Sequence, residues 1–232
     1  MITTRKSDTR GHADHGWLDS KHSFSFAHYY DPAHMGFRSL RVFNDDLIGG
    51  GGGFPPHPHN DMEIVSYVTR GALRHRDNMG NESVLRAGAM QRMTAGTGVI
   101  HSEFNDSDTE PAHLYQIWIL PERRGIAPGY EEAVLAETPA VDGWQLIAAP
   151  EGAGGAMTIH QDTKLYRGVA AAGETLRHTL ASGRGAWLHV VRGAITLNGA
   201  ALTAGDEAQT EDETALEIAA TDDAEVLLFD VA

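Results

Sequence analysis

The chain has 232 residues, which is enough for one large domain or two compact ones. It carries 18 basic and 32 acidic side chains, and a net charge of −14 disfavours direct binding to nucleic acids or anionic membranes. The absence of cysteine excludes disulfides, iron–sulfur clusters and thiolate zinc sites. The polar N-terminus and the lack of a long apolar run predict no signal peptide and no membrane span, so we expect a cytoplasmic protein.

Short apolar segments between Gly, Asn, Asp and Pro residues predict strands along most of the chain. In chain order, residues 23–26 alternate, residues 63–68 are β-branched and aromatic, and residues 114–119 form a buried-strand pattern. One helix is predicted over residues 129–137, which are rich in helix formers and stop before Pro139. The sequence therefore predicts an all-β protein with few short helices, built as barrels or sandwiches.

Two parts of the chain resemble each other, at an offset of 122 residues for the first match and 117 for the second. The matching segments are Val68–Ala72 with Val190–Ala194, and Leu85–Gly88 with Leu202–Gly205. The second copy joins its hairpin with Asn198 and Gly199, a strong signal for a type I′ turn, whereas the first copy has a longer loop. We infer a duplication and predict two similar β domains, at residues 1–138 and 139–232.

The chain contains 13 histidines, and some of them have the spacing of metal ligands. His57 and His59 are two residues apart, as are His101 and Glu103, and such side chains share one face of a strand. Three imidazoles and a carboxylate suit Fe(II), Mn, Ni, Cu or Zn. Glu63 has the same parity as the first pair, so it is either a further ligand or a partner of the ligands. The alternative is that residues 57–59 form a turn and that His101 packs in the core.

The repeat indicates which domain carries this chemistry. The equivalent positions of the second copy are Thr179, Ala181, Ile218 and Ala220, so none of the four groups is kept. We therefore predict a metal site in domain 1–138 and no metal ligands in domain 139–232.

These residues resemble the two cupin motifs. The first motif is matched by Gly51, His57, His59, Glu63 and Gly71, with one extra residue before Gly71, and the second by Gly88, Gly98, His101 and Asn105, with one extra residue before Gly98. More specifically, the chain resembles bacterial pirins at residues 15–18, 22–27, 29–32, 57–59, 96–103 and 161–162. The resemblance implies a bicupin, with two double-stranded β-helix (jelly-roll) barrels packed together and metal only in the first. It assigns the ligand roles to His57, His59, His101 and Glu103, which makes Glu63 a partner of the ligands.

Several pirins resemble quercetin 2,3-dioxygenase, which implies cleavage of flavonols with O2 and release of carbon monoxide. We expect one divalent ion, Fe(II) first and Mn, Ni, Cu or Zn otherwise, that acts on the enolic substrate as a Lewis acid. Glu103 would accept the proton of the 3-hydroxyl group. Position in the sequence and family likeness place His22, Phe24, Phe26, Phe54 and Met62 in the substrate pocket.

Two other functions remain open. A non-catalytic pirin-like metalloprotein would regulate a protein partner, and the acidic charge would then favour a basic partner surface. A cupin isomerase or epimerase acting on a small sugar would need further bases at the metal, and the chain has only three lysines. We expect a monomer, because a bicupin already buries an interface between two barrels within one chain.

Overall fold

A computed structural model describes residues 1–232. The chain divides into two compact units. The N-terminal unit comprises Gly11–Glu137 and Met157–Gln161, and the C-terminal unit comprises Met1–Arg10, Thr138–Ala156 and Asp162–Ala232. The expected division was a single boundary after residue 138. Residues 1–10 and Thr138 instead belong to the C-terminal unit, and residues 157–161 belong to the N-terminal unit.

Strands account for nearly all regular structure. They are β1 (Thr3–Arg5), β2 (Gly11–Asp14), β3 (Leu18–His22), β4 (Leu40–Ile48), β5 (Gly53–His59), β6 (Glu63–Arg70), β7 (Ala72–Asp77), β8 (Glu82–Arg86), β9 (Ala89–Thr94), β10 (Val99–Asn105), β11 (Ala112–Ile119), β12 (Gly129–Val134), β13 (Trp144–Ala149), β14 (Met157–Thr158), β15 (Thr163–Ala170), β16 (Thr175–Thr179), β17 (Gly185–Arg192), β18 (Ala194–Leu197), β19 (Ala200–Thr203), β20 (Glu207–Thr210), β21 (Ala215–Ala220) and β22 (Ala224–Val231). The helices are short 3-10 turns at Ser7–Thr9, Leu135–Glu137 and Pro150–Gly155. None of the helices has the length and apolar character that crossing a bilayer requires.

Two antiparallel sheets form the N-terminal unit. One has the strand order β12-β9-β6-β11-β4-β3-β2, and the other has the order β5-β10-β7-β8. A cluster of buried side chains lies between them, with Ile48 and Leu114 from the first sheet and Leu73 and Leu85 from the second. Because both sheets turn their apolar faces to this cluster, the polar side chains that also point inward stand out as candidates for function.

The C-terminal unit has the same two-sheet construction. The order β1-β20-β17-β22-β15-β13 forms one sheet, and β16-β21-β18-β19 forms the other. Its core joins Leu188 and Leu228 of the first sheet to Ile195 and Ile218 of the second.

The two units repeat the glycine turns that the sequence matches pointed to. Gly71, between β6 and β7, has φ +73°, and Gly193, between β17 and β18, has φ +77°. These values lie in the left-handed region that glycine adopts without steric cost. Asn198 and Gly199, at φ +45° and +88°, form the tight hairpin turn expected in the second copy.

The predicted helix over residues 129–137 is wrong. Residues 129–134 form β12, which pairs with β9 from Gly129 opposite Thr94 to Val134 opposite Ala89, and only Leu135–Glu137 turn as a 3-10 helix. A nine-residue helix is marginal by itself, so a full ladder of backbone hydrogen bonds to β9 outweighs the helix propensity of this segment.

Candidate functional site

Three histidines meet between β5 and β10 of the N-terminal unit. These strands are antiparallel, with His57 opposite His101 and His59 opposite Val99. The ring centroids of the three histidines lie 4.5 to 4.9 Å apart. One nitrogen from each ring lies within 4.8 Å of the others, a spacing at which the three could hold one metal ion. The proline-rich β5 is tolerated because it lies at the edge of its sheet and because its pairing with β10 is irregular at Pro55 and Pro56, which have no partner on β10.

The three imidazoles have the properties of metal ligands. Burial and the neighbouring histidines lower the pKa of His59 to about 4 and that of His101 to about 3, so both are neutral at pH 7 and keep a lone pair. Nδ1 of His57 donates a hydrogen bond to the Pro55 carbonyl oxygen at 2.8 Å, which leaves Nε2 as the free acceptor. This donor set therefore fits a first-row divalent ion.

Glu103 lies two residues after His101 on β10, and three uncharged donors lie within hydrogen-bond distance of its carboxylate. Its Oε1 accepts from Nε2 of Gln91 at 2.7 Å and from the Ser66 hydroxyl at 3.1 Å. Its Oε2 accepts from Nε2 of Gln116 at 2.5 Å. A carboxylate has about four acceptor positions, so one position on Oε2 remains for a proton or an ion.

The donors to Glu103 belong to a polar row that crosses five neighbouring strands in register. Opposite partners along the seven-stranded sheet are His22 on β3, Asn44 on β4, Gln116 on β11, Ser66 on β6 and Gln91 on β9. All five side chains are buried. Because cross-strand partners point to the same face, the fold places a continuous polar stripe opposite the histidines.

A second group that could hold a metal overlaps the first. It consists of His75, His101 and Glu103. The carboxylate of Glu103 therefore lies in a group with His75 and His101, and not in the group that contains His57 and His59. Asp77 lies 3.3 Å from Nε2 of His75, while Nδ1 of this ring is buried without a hydrogen-bond partner. A carboxylate on the far nitrogen is the usual companion of a ligating histidine.

Glu63 lies apart from the histidine group. Its buried carboxylate accepts from the Thr94 hydroxyl at 3.0 Å and contacts Nδ1 of His160 at 3.3 Å. Burial raises its pKa, and the charges of His160 and Arg92 oppose that effect. The structure thus gives Glu63 partners of its own, and the predicted contact with the ligands is not formed.

A cavity of about 670 Å³ opens in front of the histidines. It is lined by His12, Ala13, His15, Trp17, Leu18, Ser20, His22, Phe26, Ala27, His28, Tyr29, Asn44, Asp46, Phe54, His57, His59, Ile64, His101, Glu103, Gln116 and Trp118. Of the residues predicted for the pocket, His22, Phe26 and Phe54 line it. Phe24 is buried outside this lining, and Met62 lines a smaller cavity of about 290 Å³ beside it.

The walls are mostly aromatic. Trp118 packs edge-to-face against His59, with ring centroids 4.9 Å apart, and against Phe26, with centroids 5.4 Å apart. Trp17 packs in the same way against Phe54 at 5.1 Å. A cavity of this size and lining suits a flat aromatic molecule.

Sequence reasoning missed the residues that hold Glu103, and it also missed His75 and Asp46. A usable signal was present in two places, where Gln116 interrupts the apolar strand 114–119 and Ser66 interrupts the strand 63–68. A polar residue inside a buried strand needs a partner, which marks it as a candidate for a site.

Comparison with known proteins identifies the family. The profile of the family described as Pirin matches residues 3–119, and that described as Quercetinase C-terminal cupin domain matches residues 146–231. A protein of Escherichia coli K12 named quercetin 2,3-dioxygenase is 51% identical over 231 residues, covering 100% of this chain and 99% of the relative. The chain belongs to the pirin family. A pirin-like protein of Caulobacter vibrioides is 41% identical, with 100% of both chains covered.

Solved structures agree with this assignment. The crystal structure of the bacterial pirin YhhW of Escherichia coli in complex with nickel(II) has a TM-score of 0.95 and 50% identity. That match covers 100% of this pirin and 99% of the other chain. The predicted family and the predicted all-β fold with two cupin domains are confirmed. This pirin is therefore a cupin protein whose N-terminal unit has a histidine and glutamate group that could bind a metal.

Proposed function

We propose that this pirin is a metal-dependent dioxygenase that cleaves flavonols such as quercetin with O2. The observation that carries the proposal is the histidine triad at the wall of an aromatic cavity of about 670 Å³, with one free acceptor position on Glu103 beside it. The Escherichia coli relative named quercetin 2,3-dioxygenase supports the same activity.

We propose His57, His59, His101 and Glu103 as the residues that hold the ion. When bound there, a divalent ion supplies Lewis acidity at the enolic oxygen of the substrate. Fe(II) is our first expectation, and nickel(II), present in the complex of the Escherichia coli pirin, is the strongest alternative.

Glu103 holds the proton in this proposal. Gln91 and Gln116 fix its carboxylate. The Ser66 hydroxyl can donate to Oε1 of Gln116, 3.2 Å away, instead of to Glu103. Glu103 then has one free position on each oxygen, one for the ion and one for the proton of the substrate 3-hydroxyl group. The aromatic side chains Trp118 and Phe54 orient the flat ring system and keep water away from the reacting atoms.

The test is O2 uptake with quercetin by protein that has been stripped of metal and reloaded with Fe(II), Ni, Mn or Cu. We expect metal-dependent uptake with release of carbon monoxide. We expect His101→Ala to lose both bound metal and activity, and Glu103→Gln to lose activity at least about 100-fold. Gln145→Met changes a half-buried amide of the C-terminal unit, away from the cavity, and serves as the control that keeps full activity.

Binding of metal by the wild-type protein without oxygen uptake on any flavonol would contradict the proposal. That result would favour the alternative in which the metal state of a non-catalytic pirin regulates a protein partner.

A further inference from the structure

The cavity contains one buried acidic group that neither the metal centre nor the proposed proton transfer uses. Asp46, on β4, lines the cavity and is only 2% exposed. Its Oδ1 accepts a short hydrogen bond from the hydroxyl of Ser20 on the neighbouring strand β3. Its Oδ2 has no hydrogen-bond partner in the chain. A buried carboxyl group is rarely left with most of its acceptor positions unused.

Asp46 forms no ion pair, and the positive group that acts on it, His113, contacts Asp45 instead. The charged groups that act on it are Asp45, Glu103 and His113, and the two carboxylates disfavour a further negative charge. Loss of hydration on burial is the largest effect, and it outweighs the hydrogen bond from Ser20 and the charge of His113, so the pKa of Asp46 is raised to about 7. The group is therefore able both to accept and to donate a hydrogen bond near neutral pH.

The position of Asp46 relates it to the metal centre. Asp46 lies two residues after Asn44 along β4, and Asn44 is the cross-strand partner of Gln116, which holds Glu103. Side chains two residues apart share a face at about 6.5–7 Å. Asp46 thus stands one side-chain row away from the polar row, on the same wall of the cavity.

We propose that Asp46, supported by Ser20, is the anchor for a ring hydroxyl of the substrate, so that the cavity selects polyhydroxylated aromatic molecules. The inference rests on the proposed function and names its substrate class more narrowly. The enolic end of the flavonol lies at the histidines, and a hydroxyl on another ring donates to Oδ2 of Asp46. Of the side chains that line the cavity, only Asp46 and Glu103 are carboxyl groups, and Glu103 is assigned to the metal centre, so Asp46 is the strong acceptor that remains for such a hydroxyl.

The experiment measures anaerobic binding of three flavonols to the metal-loaded protein by their absorbance change. Quercetin has ring hydroxyls on both outer rings, galangin has them on one, and 3-hydroxyflavone has none beyond the enolic group. For Asp46→Leu we expect the Kd of quercetin, or of quercetin and galangin, to rise about 10- to 100-fold, while that of 3-hydroxyflavone is unchanged. Asp46→Asn keeps a hydrogen-bonding group and restores most of the affinity.

Asp108→Asn is the control, because it makes the same change of carboxyl to amide at an exposed residue that does not line the cavity. It leaves all three affinities unchanged. An equal loss for 3-hydroxyflavone, or no loss for any ligand, overturns the role of Asp46 while the proposed dioxygenase stands. If the wild type binds the flavonols but consumes no O2, the proposed dioxygenase activity is overturned, and the comparison of affinities still tests the role of Asp46. Failure of the wild type to bind any of the three overturns both.

Discussion

Replacing the buried acid Asp46 with asparagine tests whether burial of this carboxyl group makes the free energy of unfolding depend on pH. Burial raises the pKa of this carboxyl from 3.8 to about 7. Because the folded state binds the proton more tightly than the unfolded chain, this group favours folding most below pH 3.8, and that stability is lost as pH rises to about 7. At 1.36 kcal/mol per pKa unit, the full loss is about 4 kcal/mol.

The amide introduced by Asp46→Asn carries no charge, so the variant escapes this loss. Ser20 can still donate its hydrogen bond to the amide oxygen at this position. We expect Asp46→Asn to gain stability over the wild type as the pH rises, by about 2–3 kcal/mol between pH 5 and pH 8.5. All other titrating groups are common to both proteins and cancel in the difference.

Urea unfolding of metal-stripped protein, followed by tryptophan fluorescence at both pH values, measures this difference. The exposed Asp108→Asn substitution is the control, and its difference in stability from the wild type does not grow between pH 5 and pH 8.5. A difference between wild type and Asp46→Asn that is the same at pH 5 and pH 8.5 would refute the reasoning, because it would mean that Asp46 is well solvated in the folded protein.

Three further predictions concern the site and its support. Gln116→Met removes a donor to Glu103, so we expect metal affinity to fall about 10- to 100-fold in competition with a chelator, and unchanged affinity would contradict this support. Gly96→Ala would place a Cβ 1.9 Å from the Ile126 carbonyl oxygen at a φ of +46°, and we expect the free energy of unfolding to drop by at least about 2 kcal/mol; a stable variant would show that the turn can relax. Leu73→Ala empties a fully buried position between the sheets, and denaturant unfolding should report a loss of about 2–5 kcal/mol, whereas a smaller loss would mean that the core collapses into the space.

The strand content and the histidine spacing could be predicted because they depend on neighbours in the sequence. His57 and His59 share a face of β5 through the two-residue period of a strand, and the same period relates His101 to Glu103. The glycine turns at Gly71 and its counterpart were visible because a left-handed backbone strongly favours that residue.

The segment 129–134 shows where local reasoning ends. Its composition favours a helix, but β9 offers six residues of backbone pairing, and a strand edge is available only in the folded unit. Tyr130 of this strand then stacks on His75, with ring centroids 4.7 Å apart, and donates a hydrogen bond to Gln91 at 2.9 Å. Because the sequence predicted a helix here, it did not indicate that Tyr130 contacts residues of the site.

By itself, the sequence determined the all-β class, the repeat and the pairs of histidine and glutamate residues, since each follows from short-range periodicity. Only the tertiary structure decided that Gln91 and Gln116 converge on Glu103, and that Asp46 is buried without an ion pair. The physical reason is that cross-strand register brings together residues from strands far apart in the chain, and burial changes the energy of a charge only after those strands have met.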